Sequence, residues 1–502
     1  MKKQLLNLSL AAIGLLTASC NQTNDDDNAV PGYMSNYNGT YTDGVNMPYP
    51  SGKSGDKFDE FVDNPFVKTS QQPVSTFSVD ADGASYAIVR AYLNRGYEVS
   101  PSSVRIEELL NYFTFDYAAP SGDQTVAINA EVGECPWNLK HHLLRLGIKG
   151  KELLESEVPH ANFVFLVDVS GSMSDSNKLP LLKSGLKTLV FQMKPADRIS
   201  LITYSGEVKK LLESTPVSQA AKIVEAIDQL QANGYTNGGE ALKMAYEEAI
   251  ANYDPKSNNR IILGTDGDFN FGVTGTEALT EMVESYAKKG IYLTCLGFGS
   301  GNLNDAMMES ISNHGNGTYH YIDCEEEMMK VFVHERERFV SVANDAKCQV
   351  TFDSSLVKEY RLIGYENRVM NAEDFKDDSK DAGEIGAGQT ITALYEIVLN
   401  DEASQPYKTF ATFDFRYKKS LDAESIPLKA TLKVEQILNN DKRSGNFHLA
   451  AGIAAFGMVL RNSPYKGDAS IPMAKELVSM YQGRDPHHYL DELIGLMEKI
   501  NK

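Results

Sequence analysis

Two hydrophobic rhythms divide the chain. Between residues 160 and 340, short apolar runs alternate with stretches in which apolar side chains return every three or four positions. The runs 163–168, 199–204, 208–212, 261–265 and 291–296 are aliphatic or β-branched and end at Gly, Asp or Ser, as strands buried on both faces do. Helical stripes lie between them: Leu182, Leu186, Leu189, Val190 and Met193; Ile223, Val224, Ile227 and Leu230; Leu242, Ala245, Tyr246 and Ala249; Leu279, Met282, Val283 and Tyr286. Gly290 and Gly315 stand where C-terminal caps are wanted. Strand and helix in alternation predict a central doubly wound α/β domain with a mostly parallel sheet.

The flanks have other patterns. Residues 74–150 predict a small α+β region, with helical spacing in Tyr86, Val89 and Leu93 and again in Val104, Leu109, Tyr112 and Phe113, and strand alternation over 126–132. Residues 345–502 predict antiparallel strands (Cys348, Val350, Phe352; Phe413, Phe415, Tyr417; Leu428, Ala430, Leu432, Val434) followed by three helices over 446–461, 472–481 and 489–500. The apolar stretch 447–460 is below spanning length and reads as a packed helix. Residues 325–340 predict one long amphipathic helix through Met329, Val333 and Phe339. Residues 21–73 are nearly devoid of aliphatic side chains and read as a flexible tether.

Length and composition narrow the choices. A chain of 502 residues holds about three globular units, and 42% apolar with 23% charged residues excludes collagen, wholesale disorder and a polytopic membrane protein. The net charge of -20 repels phosphate backbones, so nucleic acid is excluded as a partner, while divalent cations and basic protein surfaces fit. Cys135, Cys295, Cys324 and Cys348 have no zinc spacing; Cys324 and Cys348 are the nearest pair for a bridge, and buried free thiols are the default.

Lys2 and Lys3, the apolar residues 5–16 and Thr17-Ala-Ser-Cys20 form an export signal. It resembles a bacterial lipoprotein signal, which implies a lipid anchor on Cys20 and a place in the cell envelope, on the outer membrane. Asp25-Asp-Asp27 resembles the acidic export tag of Bacteroidetes surface lipoproteins and reads equally as a solvated charge cluster.

Chemistry in such a sheet belongs just after the strands, at the crevice where strand order reverses. There the chain carries Asp168-Val-Ser170-Gly-Ser172, then Gly234-Tyr-Thr236-Asn-Gly-Gly239, then Thr265-Asp266-Gly267. A small hard cation wants about six oxygens and usually keeps several waters, and two carboxylates with three hydroxyls meet that need. The pattern resembles the metal-ion-dependent adhesion site of von Willebrand factor type A domains, a Rossmann-like fold. That likeness implies Ser170, Ser172 and Thr236 as direct ligands, Asp168 and Asp266 as carboxylates acting directly or through water, and Mg2+, with Mn2+ or Ca2+ as alternatives. It leaves one coordination position for an acidic group of a partner, with Asp268 adding charge nearby.

Other sites fall away. A haloacid dehalogenase-type phosphatase needs a second Asp where Ser170 stands, and no serine elbow, zinc-protease helix or phosphate loop is present. Gly297-Phe-Gly299-Ser-Gly301 reads as a plain βα turn, and His141-His142 and His487-His488 as structural or solvent-facing pairs. Asp80-Ala-Asp82-Gly83 opens like a calcium loop, yet lacks its third acidic position and terminal Glu, and reads as a turn or helix cap.

Ser75-Thr-Phe-Ser-Val-Asp80, residues 105–113, Cys135-Pro-Trp137, residues 360–368 and 381–388, and Thr392-Ala-Leu-Tyr-Glu396 resemble the bacterial YfbK-type lipoproteins, from about Val74 to the end. The resemblance implies a type A domain at 160–340 between the two flanking regions, in which the final helix can slide when the metal site fills. The expected function is a lipid-anchored binding protein, not an enzyme, that grips an acidic group of a protein or other envelope ligand. A metal-dependent hydrolase using Asp266 or Asp268 as base, and an envelope scaffold with a vestigial site, are the alternatives.

Overall fold

A computed structural model describes residues 55–235, 239–267, 276–400, 405–438 and 443–500. Cys20, the acidic run 25–27, Thr236 and Asp268 lie outside these residues.

The central domain is built on one sheet. Its strands run in the order Tyr319–Ile322, Ile291–Phe298, Asn258–Thr265, Ala161–Asp168, Arg198–Tyr204 and Val208–Pro216. Every neighbouring pair is parallel except the last, which is antiparallel. Alternate side chains of Ala161–Asp168 point to opposite faces, as strand geometry requires: Phe163, Phe165 and Val167 pack beneath the Leu179–Gln192 and Ala220–Asp228 helices, whereas Val164 and Leu166 pack beneath Gly239–Ala251 and Thr276–Ala287. Both faces are covered, so both sets are apolar.

Strand order places the crevice. After Ala161–Asp168 the chain crosses one face to Arg198–Tyr204; after Asn258–Thr265 it crosses the opposite face to Ile291–Phe298. The two crossovers diverge between adjacent strands, which opens the sheet at the carboxyl ends of Asp168 and Thr265.

The flanking regions share their strands. Val126–Glu134 and His142–Gly150 form an antiparallel sheet with Thr390–Leu399 and Val357–Ile363, while Val74–Ser78 pairs with Ser341–Phe352, which in turn pairs with Thr409–Lys418. A single core, including Phe77, Leu144, Leu146, Cys348, Val350, Tyr395 and Phe413, fills the space between the two sheets. The residue patterns predict 74–150 and 345–502 as separate regions; strand pairing across about 240–280 residues, Lys149 with Thr390 and Val74 with Thr351, joins them. The central domain is therefore inserted into a sandwich. Its entry and exit meet the same turn: Gly388 N donates to Lys151 O at 3.0 Å and Ala387 N to Val340 O at 2.9 Å.

The Gly445–Leu460 helix is buried along almost its whole length against Ile471–Ser479 and Ile106–Asn111. Among the described residues no helix is long and apolar enough to cross a membrane. The stretch expected as one long helix is broken into an α-helix Glu325–Met329, a π-turn Lys330–His334 and a 3-10 turn Arg336–Phe339. Buried charge explains the break. Arg90, on the Ala84–Asn94 helix, donates to Asp323 Oδ2 at 3.0 Å, Glu327 Oε2 at 2.7 Å and Glu492 Oε1 at 3.1 Å. Lys330 is buried over the rings of Tyr112 and Tyr489 and pairs with Glu335. Cys135, Cys295 and Cys348 are buried and form no disulfide.

Candidate metal centre

The first strand delivers Asp168 fully buried at its end. Its two oxygens are fixed by short-range bonds: Oδ1 accepts from Ser170 N at 2.8 Å and Oδ2 from Thr265 Oγ1 at 3.1 Å. Burial, with Asp266 adding negative charge, lifts the Asp168 carboxyl to about 6 despite these bonds. The chain then turns through Gly171–Ser174, and the Ser170 and Ser172 hydroxyl oxygens come to 3.0 Å from each other.

The second loop is tied to the first. Gly171 N donates to Gly234 O at 3.0 Å and Asn233 N to Val169 O at 2.7 Å, which fixes the two residues leading toward Tyr235 and Thr236. From the neighbouring strand comes Asp266, also fully buried. Lys178 Nζ donates to Asp266 Oδ2 at 3.0 Å and to Ser172 O at 3.0 Å, whereas Asp266 Oδ1 accepts no hydrogen bond among the described residues. Gly267 has φ +95°, and a Cβ there would stand 2.3 Å from Asn304 N, so only glycine lets the loop turn under that backbone.

Four of the five expected residues thus lie around one point, Asp168, Ser170, Ser172 and Asp266, and the fifth, Thr236, is outside the described residues. Lys178 was not legible as a site residue: it sits in no motif, and only the fold carries its amine across to Asp266. Its route depends on Gly299, φ +68°, where a Cβ would lie 2.1 Å from Lys178 Cε; the expected βα turn there also makes room for a buried cation.

The donor set fits a small divalent ion. At Mg2+–oxygen bonds of about 2.0–2.1 Å, neighbouring ligands of an octahedron stand about 2.9 Å apart, and the two serine hydroxyls are already at 3.0 Å. An orphaned buried carboxylate oxygen is costly unless a donor or cation satisfies it, and Asp266 Oδ1 is one. The histidine pairs do other work: His141 Nδ1 meets Glu396 Oε1 at 2.5 Å within the sandwich, and His487 stacks on His334 with ring centres 3.7 Å apart.

Family models match along most of the chain: "von Willebrand factor" over residues 53–145, "von Willebrand factor type A domain" over 162–334 and "Uncharacterized protein YfbK, C-terminal" over 337–502. The protein described as "Uncharacterized protein YfbK" of Escherichia coli (strain K12) is 37% identical over 470 residues, covering 88% of this chain and 80% of its own. The chain belongs to the YfbK family. Other relatives match a smaller share of the chain. The "Uncharacterized protein sll0103" of Synechocystis sp. (strain ATCC 27184 / PCC 6803 / Kazusa) is 30% identical over 36% of this chain and 42% of its own. The human "Inter-alpha-trypsin inhibitor heavy chain H3" is 31% identical over 33% of this chain and 20% of its own. Among solved structures, the "von Willebrand factor type A from Catenulispora acidiphila" aligns over 76% of this chain and 97% of its own at 15% identity, with a TM-score of 0.42. In this member of the YfbK family the type A domain lies in sequence between the strands of the sandwich, and the candidate residues stand at the carboxyl ends of its sheet strands.

Proposed function

We propose that the central domain binds a divalent cation, Mg2+ first and Mn2+ or Ca2+ as alternatives, and uses it to hold an acidic group of a protein or other envelope ligand. Ser170, Ser172 and Thr236 would be direct ligands, with Asp168 and Asp266 as the carboxylates. The observation that carries this reading is the pair of serine hydroxyls at octahedral spacing beside the unsatisfied Asp266 oxygen, at the crevice of the sheet. The cation would supply electrophilicity. The chain supplies the rest: Thr265 and the Ser170 amide hold Asp168 in place, and Lys178 takes up one Asp266 oxygen while leaving the other free.

Tyr235 would form part of a rim for the partner. Tyr235 is 90% exposed one residue before Thr236 and is the kind of aromatic side chain that anchors protein interfaces. Lipid attachment at Cys20 would hold the domain at the outer membrane, and protease shaving of intact cells checks which side it faces.

Isothermal titration of Mg2+ and Mn2+ into wild type and Asp168→Ala tests the reading. Wild type is expected to bind at least one ion with an affinity that Asp168→Ala lacks. Indistinguishable titrations would remove the metal from this site and leave the scaffold alternative. Crosslinking in cells then identifies what Ser172→Ala fails to capture.

A further inference from the structure

The Asp80-Ala-Asp82-Gly83 loop leads away from the adhesion site to a second group of acids. Asp80, Glu108 and Glu309, all buried, each place a carboxylate oxygen within 4.8 Å of the others. They come from three separate parts of the chain: the loop before the Ala84–Asn94 helix, the Ile106–Asn111 helix, and the Asp305–His314 helix of the central domain. Asp82 faces them from the same loop. The expected turn is there too, since Asp82 N donates to Asp80 Oδ1 at 2.9 Å and Gly83 precedes the helix.

Hydrogen bonds account for most of these oxygens. Asp80 Oδ2 accepts from Arg368 Nε at 3.0 Å, Glu108 Oε2 from Ser85 N at 2.7 Å, Glu108 Oε1 from Arg105 Nε, Asp82 Oδ1 from Tyr319 N at 2.7 Å, and Glu309 Oε1 from Asn313 Nδ2 at 2.9 Å and Asn367 Nδ2 at 3.3 Å. Among the described residues two oxygens accept no hydrogen bond, Glu309 Oε2 and Asp82 Oδ2, on residues 6% and 1% exposed, and Asp82 Oδ2 has only the Arg368 guanidinium at 3.7 Å. Charge does not balance either. Asp305 lies bidentate against Arg105, so five carboxylates share two guanidiniums, Arg105 and Arg368, in a buried setting. Uncompensated charge of that size is not sustained in a protein interior; it is met by protons or by a cation.

A way in exists. A cavity of about 290 Å³ reaches the cluster and is lined by Asp82, Glu284, Asp381 and Glu384, with Arg368 at its wall. An acidic passage concentrates cations and repels anions. We infer that Asp80, Glu108 and Glu309, with Asp82 beside the cavity, form a second divalent-cation site, of calcium type, that fastens the N-terminal segment to the central domain. Calcium suits an all-carboxylate set of irregular geometry, because it accepts six to eight oxygens without the strict octahedron of Mg2+. The same crowding, burial first and then Glu309, Asp80 and Glu108, drives the Asp82 carboxyl well above the usual range when no cation is bound. The site is separate from the adhesion residues, and its failure would leave the proposed function intact.

The test uses the whole chain carrying Asp168→Ala, stripped with EDTA and then exposed to Ca2+. Retention of one Ca2+ per chain by elemental analysis is expected, with a melting temperature raised by about 3 °C at a hundredfold excess over Kd. Adding Asp82→Asn, or separately Glu309→Gln, should abolish both the retained ion and the shift. If Asp168→Ala retains no Ca2+ and melts at the same temperature with and without it, the cluster holds protons and the proposal is overturned. An ion still held after Asp82→Asn and Glu309→Gln together would place it elsewhere and overturn it equally.

Discussion

Lys178 sets the electrostatics of the candidate metal centre. Its amine is buried against Asp266, and removing one partner of such a pair leaves a charge that neither water nor protein compensates. Lys178→Met should therefore destabilise the metal-free protein by about 3–5 kcal/mol in urea titrations. The same substitution removes a positive charge from beside the cation position, so Mg2+ should bind more tightly and restore more stability than it adds to wild type. Equal or weaker Mg2+ affinity would show that Lys178 does not oppose the ion. His320 gives a pH signature. Burial drives its ring down to about 3 from 6.5, so the folded protein refuses a proton that the unfolded chain accepts. Stability should fall as pH drops from 6.5 toward 3 on this account, with no such contribution above 6.5, and His320→Gln should flatten that part of the curve measured by chemical denaturation.

At the scale of elements, burial pattern decides what a sequence reveals. The runs at 163–168, 199–204, 261–265 and 291–296 lie within strands of the central sheet that are covered on both faces and so must be apolar throughout, whereas 208–212 lies in the edge strand, where Lys209 and Lys210 are exposed. The broken segment after Cys324 was not legible. Its spacing suits a helix, but Glu327 is buried against Arg90, and Lys330 pairs with Glu335 beneath the rings of Tyr112 and Tyr489; periodicity carries no information about partners as distant as residues 90, 112 and 489. The same is true of Lys178. Those contacts also bear on movement: a final helix expected to slide is here short and held by a buried guanidinium with three carboxylate partners. Arg90→Met should cost about 3–5 kcal/mol of stability, read as an earlier thermal transition; a loss below 1 kcal/mol would mean that the anchorage is weak.

The whole molecule is an insertion. Val74–Ser78 completes a sheet whose other strands come from beyond Ser341, so the segment 337–502 lacks one neighbour of its longest strand and, in the facing sheet, the strand that pairs with Thr390–Leu399. Produced alone, residues 337–502 should show no cooperative unfolding by circular dichroism, and adding a polypeptide of residues 55–150 should restore it; a cooperative transition in the isolated segment would contradict this. Long-range pairing of this kind leaves no local trace, which is why the two flanks read as independent regions from their residue patterns.

The shared turn at Ala387 and Gly388 has a mechanical meaning. Both connections of the central domain leave from one place, and Ala161–Asp168 runs from that place directly to the site. A tug on anything gripped beyond Asp168 travels down this strand and is resisted along its length by the hydrogen-bonded ladders on either side, loaded in shear. With a ligand held there as proposed, the inserted domain would not be stretched between its own ends, and tension would reach the sandwich without first unravelling the domain that holds it.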